Sequence, residues 1–149
     1  MTDNYQLQDK ELQSELEGFC ARMQLGAEAQ RSAALVYQEF SATSEHASDK
    51  KTRSLYLRVS LFISVKALRH ANNGVKPLCF ELNEFLSDGA CELDEFMAAL
   101  REVVRASSRL PHAVGEELNK LVAEFSFINK MYTKYCDVFG KLELAAHSV

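Results

Sequence analysis

Tryptophan is absent from the 149-residue chain, proline occurs twice, glycine six times, and none of the four cysteines forms a Cys-x-x-Cys pair. Scattered single cysteines lack the spacing of a structural zinc site, and the first residues lack the basic and apolar segments of a signal peptide. We therefore expect a reducing intracellular compartment. The most apolar run, Leu55 to Leu68, contains Arg58 and Lys66 and is too short to span a bilayer, so no membrane role is expected.

Motifs of catalytic and cofactor-binding sites are also missing from the sequence. The glycines are isolated, so there is no phosphate-binding loop, and no two of the four histidines form a His-x-x-x-His pair. Cys79 or Cys91 could act as a nucleophile with His70 or His112, but a single cysteine on an apolar helix face is more often a small core residue. The sequence therefore predicts no enzyme, no metal and no cofactor. A cluster of acids is interpreted as a solvated face (Glu81, Glu84, Glu92, Asp94 and Glu95).

Apolar residues recur every three to four positions through most of the chain, which is typical of amphipathic helices. A chain of this length buries roughly two-thirds of its unfolded surface, so residues 1–149 are expected to form one domain. The segment Lys51 to Ala71 has apolar residues on more than half of its circumference and is expected to be central. We predict an all-α fold of five to seven helices around this buried central helix. Helices upstream of the final segment are predicted at Asp9 to Met23, Ala27 to Phe40, Lys51 to Ala71, Pro77 to Leu86 and Glu92 to Ala106.

The final segment, from Leu110 to Val149, is predicted to be one long amphipathic helix or two helices in line. Two apolar rows with a spacing of seven mark its buried face (Leu118, Phe125, Tyr132, Phe139 and Val114, Leu121, Ile128, Tyr135, Leu142). Coiled-coil seams favour aliphatic residues, whereas the first row is largely aromatic. We therefore expect this stripe to pack on its own domain and the protein to be a monomer.

The distribution of charge is more informative than its total, because a net charge of −4 does not suggest a protein that coats nucleic acid. Residues Lys50 to Lys76 include seven bases and no acid, while Glu81 to Glu102 include seven acids and one base. The two blocks could neutralise each other across packed helices. Alternatively, the basic block forms a patch for an acidic or phosphorylated partner. The candidate patch residues are Lys50, Lys51, Arg53, Arg58, Lys66 and Arg69.

Several segments, in the same order, resemble the N-terminal domain of the retinoblastoma family of pocket proteins, and together they span Leu16 to Leu142. The Ser54 to Arg69 helix is similar to the family's central helix and is closest to plant and algal members, although the tryptophan usual near its start is missing. The other similar segments are Phe19-Cys20 with Leu25, Ala33 to Phe40, Pro77 to Leu86, Leu93 to Phe96, Ser108 to Pro111, Glu124 to Ile128, Tyr132 to Tyr135 and Phe139.

The resemblance implies a cyclin-like fold, with five helices built around a buried central helix and a further flanking helix. It also implies a nuclear, non-enzymatic interaction module of a transcriptional repressor that controls cell-cycle progression. Expected partners are the pocket domain of the same chain and transcription or chromatin factors, with no direct contact to nucleic acid. Two alternatives remain open: an unrelated all-helical adaptor for an amphipathic or acidic peptide, and a cyclin-like kinase regulator.

Overall fold

A computed structural model of the chain describes residues 7, 9–43, 49–72, 74, 78–86, 91–107 and 112–147, with backbone alone at 43, 78–80, 112–113, 125 and 139–147. These residues form seven helices and contain no strand, which confirms the predicted all-helical class. The predicted initiation of a helix by Ser108 and Pro111 lies outside the described residues. The helices are α1 (Lys10–Arg22), α2 (Ala27–Thr43), α3 (Lys50–Ala71), α4 (Leu78–Leu86), α5 (Leu93–Ala106), α6 (His112–Ala123) and α7 (Phe125–His147).

Side-chain carboxylates set the beginnings of three helices. Asp9 accepts hydrogen bonds from the backbone amides of Glu11 and Leu12 at the start of α1, and Asp49 accepts one from Thr52 at the start of α3. At α5, the side chain of Glu95 accepts a bond from the backbone amide of Glu92, as in a capping box. Each of these bonds satisfies an amide that the helix itself leaves unpaired, so these starts are fixed by local sequence.

Helix α3 is the centre of the fold, as its apolar circumference predicts. Every residue from Leu57 to Lys66 is buried, so this stretch has no solvent-facing side. Helices α1, α2, α5 and α6 all pack against α3. Because the stretch also contains serines and charged residues, its polar groups need partners within the protein.

Three phenylalanines join α3 to α4 and α5. The ring of Phe62 makes edge contacts with Phe85 and with Phe96, and both pairs of ring centroids are 5.3 Å apart. Edge-to-face packing of this kind is a favoured geometry for aromatic rings. Helix α4 has only nine residues, and it is anchored here by the buried side chains of Leu82 and Phe85.

The C-terminal stripe forms two consecutive helices, α6 and α7, which meet at Glu124. Val114, Leu118 and Ile128 are buried, but beyond Ile128 none of the described side chains of α7 is buried. The predicted burial of this face therefore holds at Val114, Leu118 and Ile128, whereas Leu121, Tyr132 and Tyr135 are only half-buried. Three further members of the predicted rows have side chains outside the described ones: Phe125, Phe139 and Leu142.

Candidate functional site

The six candidate patch residues do not form one surface, because they follow α3 from its exposed start into the core and out again. Partner binding by them remains a prediction, and the structure determines which of them face solvent. Three lie in the first turn, one is buried in the middle of the helix and two lie near its end (Lys50, Lys51 and Arg53, then Arg58, then Lys66 and Arg69).

The two residues near the end of α3 belong to an ion cluster that joins three helices. Lys66 Nζ lies 2.9 Å from Glu81 Oε1 of α4 and 3.3 Å from Glu117 Oε1 of α6. The guanidinium of Arg69 lies 3.2 Å from Glu81 and binds both carboxylate oxygens of Glu84, at 2.9 and 3.2 Å. At these two positions, bases of the basic block pair with acids of the acidic block.

The centre of this ion cluster is largely removed from water. The side chains of Lys66 and Glu81 are only 5% and 2% exposed. Burial disfavours the charged guanidinium of Arg69, but its hydrogen bonds and charge pairing with Glu84 and Glu81 outweigh that effect and raise the pKa of Arg69. Since removing one partner would leave a buried charge uncompensated, we assign these side chains to the scaffold.

Arg58 also faces the interior. Its guanidinium donates a hydrogen bond to the backbone carbonyl of Phe85 and lies 4.4 Å from the centre of the Phe19 ring. The Phe85 carbonyl belongs to the last turn of α4, where the helix leaves its own carbonyls without partners. Arg58 therefore connects α3 to the end of α4 and to α1.

Residues in the first turn of α3 have a different environment. Lys50 pairs with Glu11 at 2.9 Å, with side chains 60% and 70% exposed, and this partner raises the pKa of Lys50. Arg53 is 3.8 Å from Asp9, and Lys51 is exposed. Exposed ion pairs contribute little to stability, so these cations can exchange their present partners for a ligand at small cost.

A cleft of about 620 Å³, here termed the α3 cleft, opens beside this first turn. Lys50, Lys51, Ser54, Leu55 and Arg58 of α3 line it, together with Glu15 of α1 and with Cys91 and Glu95 at the start of α5. Three helices thus contribute to its walls. Its volume falls in the range typical of ligand sites.

The carboxylates of the α3 cleft are already engaged in hydrogen bonds. Ser54 Oγ donates to Glu15 at 2.8 Å, and Glu95 accepts from the backbone amide of Glu92 at 3.0 Å. Lys50 and Lys51 at the edge remain exposed. At this edge an incoming carboxylate or phosphate would meet two ammonium groups, and Leu55 adds an apolar side chain to the lining.

The nucleophile and base considered from the sequence are not brought together where both are described. Cys91 lines the α3 cleft beside Ser54 and Leu55, whereas His70 lies in the last turn of the same helix. Fifteen residues of helix separate these positions, a distance of about 22 Å along the axis. The side chains of Cys79 and His112 lie outside the described ones.

Within the part of the chain that the structure describes, no group of His, Cys, Asp or Glu residues could hold a metal ion. In the same residues, no helix is both long enough and apolar enough to cross a membrane. Searches against protein-family models, curated proteins and solved structures found no match for this chain.

Most of the residues that complete the ion cluster and the α3 cleft were not predicted from the sequence. Glu117 joins the ion cluster from α6, and its position in the sequence gives no sign of this contact. Glu15 and Cys91 reach the α3 cleft only because α1 and α5 pack beside α3. Asp49 is a signal that could have placed Lys50 and Lys51 in an exposed first turn, because aspartate is a favoured capping residue.

Proposed function

We propose that the chain is a non-enzymatic protein-interaction module of a retinoblastoma-like transcriptional repressor that acts in the nucleus to control cell-cycle progression. In this proposal the module docks an acidic or phosphorylated segment of a protein partner at the α3 cleft. The observation that carries it is the pair of exposed lysines, Lys50 and Lys51, at the edge of an open cleft.

A cyclin-like arrangement is part of the proposal. It is supported by the packing of α1, α2, α5 and α6 around the buried helix α3, with α7 as a flanking helix. The order of the segments that resemble pocket proteins supports the family, and α3 contains the segment most like the family's central helix. The partners that follow from the resemblance are the pocket domain of the same chain and transcription or chromatin factors.

A non-enzymatic role is supported by the contacts that the carboxylates and bases of the ion cluster and the α3 cleft already make. Glu81 is held by Lys66 and Arg69 in the ion cluster, and Glu15 accepts a hydrogen bond from Ser54 in the α3 cleft. A general acid or base has to exchange a proton with a substrate, and groups held in buried ion pairs are poorly placed to do so.

An unrelated all-helical adaptor for an acidic peptide is the second candidate. The same open cleft favours it, because the cleft would bind such a peptide whether or not the family resemblance holds. Isothermal titration with the pocket fragment of a retinoblastoma-family protein separates the two. Saturable binding that competes with an acidic peptide supports the repressor module, whereas binding of the acidic peptide alone supports the adaptor.

The cleft itself is tested by reversing the charge at its edge. We expect Lys50→Glu with Lys51→Glu to weaken binding of a fluorescein-labelled acidic peptide, or of its phosphoserine version, about tenfold in fluorescence anisotropy. Arg105→Glu with Lys120→Glu, two exposed positions on α5 and α6 outside the cleft, is the matched control and should bind normally. Equal affinity of both double variants for these peptides would contradict a site at the α3 cleft.

A further inference from the structure

Three carboxylates at the start of α1, here termed the acidic row, contact the first turns of α3. The contacts are Asp9 to Arg53 at 3.8 Å, Glu11 to Lys50 at 2.9 Å and Glu15 to Ser54 at 2.8 Å. The last two contacts are four residues apart on each helix, so α1 and α3 lie side by side and point in the same direction. The basic start of α3 is therefore already matched by acids of the same chain.

The pair between Glu11 and Lys50 lies at the edge of the α3 cleft, because Lys50 lines that cleft. Glu11 raises the pKa of Lys50 through its hydrogen bond and its charge, and the two other carboxylates of the acidic row act in the same direction. An anion that approaches Lys50 therefore meets a cation that already has an anionic partner.

The members of the acidic row differ in what they do for the fold. Asp9 caps α1 by accepting hydrogen bonds from two backbone amides, and Glu15 accepts one from the hydroxyl of Ser54. The side chain of Glu11 is 70% exposed, and its pair with Lys50 is of the exposed kind that contributes little to stability. Glu11 is therefore the member of the row that can leave its partner without uncovering a buried group.

We propose that Glu11 is a built-in competitor for the anionic partner of the α3 cleft. The carboxylate or phosphate of the partner replaces Glu11 at Lys50, and Glu11 turns to solvent. The inference rests on the proposed function, because it concerns how that same cleft is kept from weak ligands.

The competition sets a threshold for binding. The fold holds Glu11 beside Lys50, so its effective concentration there exceeds that of a free anion. The two carboxylates that line the cleft also repel a bound anion. A single carboxylate therefore gains nothing by the exchange, whereas a segment that also pairs with Lys51 and contacts Leu55 does.

The competitor is tested by removing its charge. Glu11→Gln keeps the length of the side chain and the Asp9 cap, and we expect it to bind the fluorescein-labelled acidic peptide about threefold more tightly in fluorescence anisotropy. Glu28→Gln is the matched control, because Glu28 is also an exposed acid at the second position of its helix and does not line the α3 cleft. This control should bind the peptide like the wild type.

A second background shows whether Glu11 acts through Lys50. In Lys50→Gln the competitor has no cation to hold, so adding Glu11→Gln should leave the affinity for the peptide unchanged. Equal tightening in both backgrounds would mean that Glu11 only repels the peptide, and it would overturn the proposal. Wild-type affinity of the single Glu11→Gln variant would overturn it too.

Failure of the competitor and failure of the binding site give different results. If Lys50→Glu with Lys51→Glu weakens binding but Glu11→Gln does not strengthen it, the cleft binds the peptide and the competitor is wrong. If Lys50→Glu with Lys51→Glu binds as tightly as the wild type, the site at the α3 cleft is wrong and the competitor with it.

Discussion

Helix α3 carries basic residues at both ends, but their surroundings differ. Lys50 and Lys51 in its first turn face solvent, whereas Lys66 is only 5% exposed and lies between two carboxylates from other helices. The two ends show that the same residue type acts as a surface cation or as a structural ion according to what packs beside it. A basic stretch in a sequence is therefore not evidence of a basic surface.

The largest loss of stability is expected when a charge is removed from the ion cluster. Lys66→Met leaves the carboxylate of Glu81, itself 2% exposed, without its nearest cation. We expect the free energy of unfolding in urea to fall by about 3–5 kcal/mol. Lys66→Met with Glu81→Leu removes both charges and should recover much of that loss. If Lys66→Met is as stable as the wild type, this end of α3 is not structurally distinct from the first turn.

A second prediction concerns the contribution of Arg58, in the middle of α3, to stability. Arg58→Ala removes the donor to the Phe85 carbonyl and the contact with the Phe19 ring. We expect a loss of about 2 kcal/mol in the free energy of unfolding, because a buried carbonyl loses its partner. Urea denaturation measures the loss, and Lys51→Ala in the same helix is the control. Equal stabilities of the two variants would place Arg58 with the surface residues.

Tyr56 offers a smaller test, which concerns the contact between α3 and α5. Its hydroxyl donates to Glu102, and burial together with that carboxylate raises the pKa of Tyr56 from 10 to about 12. Because the folded state favours the neutral phenol, this stabilisation is complete below pH 10 and is lost as the pH rises towards 12.

We therefore expect Tyr56→Phe to lower the free energy of unfolding by about 1 kcal/mol at neutral pH. The gap between wild type and variant should narrow at alkaline pH, as measured by urea denaturation at a series of pH values. A gap that stays constant up to pH 12 would show that the hydrogen bond to Glu102 is not its source.

The smallest effect on stability is expected at the first turn of α3. Lys50→Glu with Lys51→Glu should leave the free energy of unfolding nearly unchanged, because the pair with Glu11 is exposed to solvent. Thermal denaturation measures this difference. A loss comparable to that of Lys66→Met would remove the distinction between the two ends of the helix.

Local signals in the sequence predicted the helices well. The helical periodicity placed the starts of α1 and α3 within one residue of their observed positions at Lys10 and Lys50, and the apolar circumference of α3 identified the central helix. These features depend on residues within one or two turns of each other. The cyclin-like arrangement remains a proposal, since it depends on how helices pack across the domain.

The candidate sites were less predictable, because their members come from separate helices. Seven bases without an acid gave no indication of which would be buried, and Glu117 is far from Lys66 in sequence. The predicted helical spacing of apolar residues in the C-terminal stripe was correct. Such a spacing does not show how far along the helix the rest of the domain covers it. Residues beyond Ile128 therefore kept the pattern without being buried.

The ion cluster also has a consequence for local unfolding. Helix α4 has nine residues, too few to be stable alone, yet its Glu81 is held by cations of α3. Detaching α4 by itself would leave Lys66 with Glu117 alone, so opening of this short helix is coupled to disruption of the centre of the fold. Amide protons of α4 should then exchange with solvent nearly as slowly as those of α3, despite the difference in helix length.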